Sequence, residues 1–138
     1  MTTTFKGSQI VSNFRKAIQN QYGTGLKFTP ISRQVFELEG ERNCLLYVKA
    51  RSARPIRWGV TKNVIDRLKN QSLPWFVILL FLSHESGYLL SMDDIEYYIK
   101  SVWPLGADGD YKPSEGRYLS RNNPFNSLLS LMEQIKTI

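Results

Sequence analysis

The chain has 138 residues, 42% of them hydrophobic and 22% charged, which fits one globular domain spanning 1–138 and argues against disorder. Lys and Arg number 18 against 12 Asp and Glu, a formal charge of +6. A surplus of that size draws polyanions by displacing their counterions, so nucleic acid is the expected partner, DNA ahead of RNA, with a surface of solvated lysines as the plainer alternative.

Cys44 and His84 are the single cysteine and histidine. That excludes a disulfide framework within the chain and most zinc arrangements, and it fits a reducing, cytoplasmic setting. No membrane association is expected. The first residues lack an apolar signal core, and the apolar run from Leu73 to Leu82 contains Pro74 and falls far short of the roughly 20 residues a bilayer requires.

In chain order, Ile10, Val11, Phe14, Ala17 and Ile18 recur at helical spacing after Ser8, a natural N-cap. They predict a helix from about Gln9 to Gln19, broken by Gly23 and Gly25. Leu26 to Ile31 and Gln34 to Glu39 alternate as strands do, the first marked as an edge by Pro30. A turn at Gly40 to Asn43 leads to Cys44 to Ala50, apolar on both faces and so expected at the sheet centre. Arg51 to Arg57 reads as a basic loop. Thr61 is a candidate cap for a helix burying Val64, Ile65 and Leu68. Trp75 to Leu82 has the unbroken apolar character of a strand covered on both faces, and Gly87 to Leu90 suits a short strand. Ser91-Met92-Asp93-Asp94 is a capping-box pattern before a helix carrying Ile95, Tyr98, Ile99 and Val102, stopped by Pro104. Leu105 to Asn123 reads as a polar loop. A last helix is expected from about Pro124, with Phe125, Leu128, Leu129, Met132 and Ile135 inward. The order predicts an α/β fold with a mixed sheet flanked by helices.

The chemistry-bearing pattern lies in the hairpin from Val35 to Ala50. Residues two apart in a strand share a face. Pairing Phe36 and Leu38 with Leu46 and Val48 places Glu37 and Glu39 on the face of Tyr47 and Lys49, and a three-residue loop Glu41-Arg42-Asn43 gives that parity. Two carboxylates beside a lysine suit phosphodiester hydrolysis: the acids hold Mg²⁺ and the amine meets the charge developing on phosphate. An exposed salt-bridge patch is the alternative.

The order αβββαβ, with Glu37 on one strand and Tyr47-Val48-Lys49-Ala50 on the next, resembles the PD-(D/E)XK, or restriction-endonuclease-like, nucleases over roughly Ser8 to Leu90. The resemblance implies that fold with two added C-terminal helices, Lys49 as catalytic lysine, Glu37 or Glu39 as catalytic and metal-binding acid, and Mg²⁺ as cofactor. Where the family's triplet has its acid, this chain has Tyr47, and a phenol that keeps its proton to about pH 10 is a poor Mg²⁺ ligand. Either a displaced carboxylate completes the site, from Glu39, Asp108 or Asp110, or the fold is kept and cleavage lost. A second resemblance, to the GIY-YIG nucleases, rests on Leu45-Leu46-Tyr47, Gly59, Thr61 and Arg67, with Glu96 as the implied metal ligand. It departs at Arg57, which holds the second motif's tyrosine position, and it leaves Val35 to Glu39 without a place. Arg51, Arg54, Arg57 and Lys62 around Trp58 form a candidate nucleic-acid surface, cations for phosphates and an aromatic ring for a base, with a solvated loop and Trp58 tucked into the core as the equal alternative. A non-enzymatic interaction protein on the same fold, with a homodimer as one form, is the third alternative.

Overall fold

In a computed structural model, the described residues are 6–22, 25–39, 43–53, 57–113 and 123–137. The first helix, α1 (Gly7–Tyr22), buries Ile10, Val11, Phe14 and Ile18. It is longer than its apolar stripe at both ends, so Ser8 lies inside the helix and is not its cap.

Six strands form the main sheet: β1 (Leu26–Phe28), β2 (Val35–Leu38), β3 (Cys44–Arg51), β5 (Trp75–Phe81), β6 (Gly87–Leu90) and β8 (Asn123–Phe125), in spatial order β1-β2-β3-β5-β6-β8. Only β3 and β5 pair in parallel among them; the other neighbours are antiparallel. A parallel pair needs a crossover, here containing β4 (Val60–Thr61) and α2 (Lys62–Lys69). The chain is thus a single α/β domain with four helices and a mixed sheet among its described residues.

Both faces of the sheet are covered. Cys44, Leu46 and Val48 of β3 join Phe76, Ile78 and Leu80 of β5 in a core closed by α1 and α4 (Leu128–Thr137). Leu45, Tyr47, Trp75, Val77 and Leu79 face the other way, onto α2 and α3 (Met92–Ser101). This two-sided burial explains the unbroken apolar runs of β3 and β5; each fully buried aliphatic side chain contributes roughly 1.5–3 kcal/mol. The predicted capping box forms on α3: Ser91 Oγ accepts the Asp94 N–H at 3.2 Å and Asp94 Oδ2 accepts the Ser91 N–H at 3.0 Å.

Several expectations are corrected. The segment after Pro104 contains β7 (Asp110–Tyr111), which pairs with β4 in a separate two-stranded sheet. Pro124 does not open a helix; it sits in β8 at the sheet's outer edge, where a residue without an N–H is tolerated. In α4 it is Leu131 that is fully buried, while Leu129 is 60% exposed. Thr61 precedes α2 without a side-chain cap bond.

The hairpin register is also corrected. Leu38 pairs with Cys44, Phe36 with Leu46, Glu37 with Leu45 and Val35 with Tyr47, a slip of two residues from the register that a loop of Glu41-Arg42-Asn43 requires. An even slip leaves every side chain on its expected face, so apolar patterning does not discriminate between the two registers. Residues 40–42 lie outside the described residues.

Candidate functional site at the end of the Lys49 strand

Lys49 stands near the C-terminal end of β3, opposite Leu79 of β5. Strand alternation puts it on the face of Leu45 and Tyr47, toward α2 and α3. It is half-buried, and its Nζ donates to Gln34 Oε1 at 3.0 Å. Burial lowers its pKa from the usual lysine value, and the negative charge of Asp110 partly restores it.

Tyr47 is fully buried. Its hydroxyl accepts the Thr61 N–H at 3.2 Å. Burial raises its pKa, Asp110 adds to the rise, and hydrogen bonding to Thr61 opposes it. Asp110 reaches this neighbourhood because β7 places it opposite Thr61. Its carboxylate lies against Gly59, where a Cβ would come within 2.8 Å of Oδ2, so a side chain at position 59 would displace it. Lys112 Nζ lies 2.6 Å from Asp108 Oδ2 and 4.0 Å from Asp110 Oδ2. The hydrogen bond from Lys112 holds the Asp108 carboxyl below the usual carboxylate range.

Glu37 and Glu39 are gathered elsewhere. Glu37 is flanked by Lys27 on β1 and Leu45 on β3, and Glu39 Oε1 lies 2.6 Å from Lys27 Nζ. Leu45 and Lys49 are four positions apart, roughly 13 Å along a strand. The acids share the face of Lys49, as expected, but occupy the opposite end of the hairpin. The carboxylate whose charge acts on Lys49 is Asp110, which the sequence offers only as a substitute. Gln34 carried no sequence signal, because its meeting with Lys49 depends on the register.

The basic segment is partly dispersed. Arg51 is exposed, with Nε donating to Ala53 O at 3.2 Å; Arg57 is exposed; Lys62 is exposed and paired with Asp66 at 2.7 Å. Arg54 lies outside the described residues. Trp58 is corrected as a stacking surface: it is 2% exposed, its indole N–H donates to Leu80 O at 2.8 Å, and Tyr88 meets its ring edge-on at 6.2 Å. Its large apolar ring is satisfied in the core, with its polar tip paired.

The residues of the second resemblance are spread over several elements. Gly59 and Thr61 belong to the β4 strand region, apart from the main sheet. Arg67 donates to Ile31 O at 2.8 Å and Pro30 O at 3.3 Å. Glu96 faces Lys100 at 2.8 Å and Lys69 at 3.9 Å. The segment it leaves without a place, Val35 to Glu39, contains β2, an internal strand between β1 and β3.

No family model, no curated protein and no solved structure matches the chain.

Mg²⁺ binding requires several oxygen ligands converging on one point. Glu39 is paired with Lys27, Glu37 stands across from the same lysine, and the Tyr47 phenol is buried and held to its proton. Among the described residues no group of three or more His, Cys, Asp and Glu side chains comes together. The residues around Lys49 therefore do not fit the ion that the first resemblance implies. No helix among them is long and apolar enough to cross a membrane.

Proposed function

We propose that the chain is a nucleic-acid-binding domain of the restriction-endonuclease-like type that engages the phosphate backbone through the Lys49 end of β3 without cutting it. The observation that carries this reading is the separation of Lys49 from Glu37 and Glu39 on one face of the hairpin. The cation sits at the strand end with Arg51 two residues on, while Glu39 is paired with Lys27 and Glu37 stands across from Lys27 on β1. Lys and Arg on one face supply the sequence-independent contacts of backbone binding. With β4 set aside in its separate two-stranded sheet, the αβββαβ order of the remaining elements, the parallel β3–β5 pair and the net charge of +6 support the same reading.

Fluorescence anisotropy with a labelled DNA duplex over a salt series tests it, with single-stranded DNA and RNA compared. Affinity is expected to fall steeply with salt. Lys49→Ala and Arg51→Ala are each expected to weaken binding and to reduce the log–log salt slope by about 1. Absence of binding to any of these strands at low salt would overturn the proposal. Mg²⁺-dependent nicking of a plasmid, abolished by Lys49→Ala, would replace it with a cutting enzyme.

A further inference from the structure

A cleft of about 580 Å³ lies between the N-terminal half of α1 and the connection from β1 to β2. That volume is within the range of pockets that take drug-sized ligands. Arg15 and Ser12 contribute from α1, Ser32 and Arg33 from the connection, and Phe28 and Phe36 from the strands. No Asp or Glu is among the described residues lining it.

Among the described residues the charge here has no carboxylate partner. Lys27, Lys62, Lys69, Lys100 and Lys112 are all within ion-pair distance of a carboxylate, whereas Arg15 and Arg33 have no ion pair among the described residues. Arg15 is held in place: Nε donates to Leu26 O at 3.0 Å, and its guanidinium carbon lies 4.3 Å from the centre of the Phe28 ring. Phe28 is 60% exposed, with Phe36 tilted against it at 5.3 Å. Ser32 Oγ accepts the Gln34 N–H at 3.1 Å, which leaves its hydroxyl proton to donate.

We propose that this cleft binds a nucleotide unit. The base lies against the exposed Phe28 ring and the Arg15 guanidinium, both of which stack on aromatic faces. The phosphate meets Arg33, with the hydroxyls of Ser12 and Ser32 as further donors. Charge complementarity requires an anion, and the exposed ring beside the cations requires a flat apolar body on it; a mononucleotide and an unpaired nucleotide of a strand share that chemistry. Gln34 lines the cleft and also accepts from Lys49, so the cleft borders the strand end proposed to hold backbone. The inference goes beyond backbone binding, and only its strand form rests on that reading.

Calorimetric titration and amide chemical-shift mapping with adenosine 5′-monophosphate, adenosine, inorganic phosphate and a 5′-phosphorylated single-stranded oligonucleotide test it. Saturable binding of adenosine 5′-monophosphate, or of the phosphorylated oligonucleotide alone, with shifts at Ser12, Phe28 and Ser32, is the expected result. The first outcome assigns a free nucleotide and the second a strand terminus. Arg33→Ala is expected to weaken that binding about tenfold or more, as loss of a hydrogen bond to a charged group does. Arg33 is exposed and has no side-chain hydrogen bond or ion pair among the described residues, and circular dichroism checks that the variant keeps its fold. Phe28→Ser is expected to abolish the preference for adenosine 5′-monophosphate over inorganic phosphate. Inorganic phosphate binding as tightly as the nucleotide probe that binds, shifts outside the cleft, unchanged affinity in Arg33→Ala, or no binding of either nucleotide probe would each overturn the proposal. Duplex affinity that survives such a result leaves the Lys49 reading standing. Mononucleotide binding without affinity for any duplex or single strand removes that reading and keeps the cleft.

Discussion

The Tyr47 hydroxyl takes the backbone N–H of Thr61 at 3.2 Å, joining the middle of β3 to the residue from which α2 departs. The side chain that stands at the implied acid position is thus part of the framework. A carboxylate there would have to be buried in the same apolar surroundings.

Tyr47→Phe keeps the ring and removes the acceptor. The Thr61 N–H is then left unpaired in a half-buried place, which costs about 1–3 kcal/mol. Urea denaturation is expected to show that loss with an unchanged dependence on denaturant concentration. Stability equal to wild type would mean that the bond contributes nothing to folding.

Trp58→Phe separates packing from recognition. The Leu80 carbonyl loses its indole donor, and a loss on the order of 1–3 kcal/mol is expected, while affinity for nucleic acid at a temperature where the variant is folded should not change. A large drop in affinity at full folding would return Trp58 to the interface.

The lowered pKa of Lys49 has a definite sign in stability. Between its folded pKa and the ordinary 10.5, the unfolded chain binds more protons than the folded one, so folding becomes more favourable as pH rises through that window. Lys49→Met removes this dependence. The stability of wild type relative to Lys49→Met should be lowest below the folded pKa and should climb toward pH 10.5. Urea midpoints of both proteins from neutral to alkaline pH check this, and a constant difference between them would contradict it. Asp110 and Gln34 face the amine, and Asp110 opposes the shift.

Gly87 opens β6 against β5, where a Cβ would fall 2.0 Å from the Leu79 carbonyl oxygen. Backbone is the obstacle, so no side-chain rotation relieves it. Gly87→Ala should destabilise the fold by roughly 3 kcal/mol or more, in the range of severe core disruptions. Soluble expression with a wild-type melting temperature would contradict the close approach.

Periodicity made much of this architecture legible. Four helices, the central strands and the Ser91–Asp94 box follow from local spacing, because each such pattern is closed within a few residues. What sequence did not disclose depends on distant partners. β4, β7 and β8 are only 2 or 3 residues long, too short for a period to appear. Asp110 comes near Lys49 only because β7 crosses to Thr61. The register kept Glu37 and Lys49 on one face yet set them far apart, since alternation reports side and not position along a strand.

The outermost strands of the main sheet, β1 and β8, each span 3 residues, and β8 carries Pro124. Such short rims present few unpaired backbone groups for a neighbouring chain to copy. Self-association, if the molecule undergoes it, is therefore steered away from continuous sheets running between copies and toward contacts made by helices and loops. Concentrated solutions should accordingly stay free of fibrous growth.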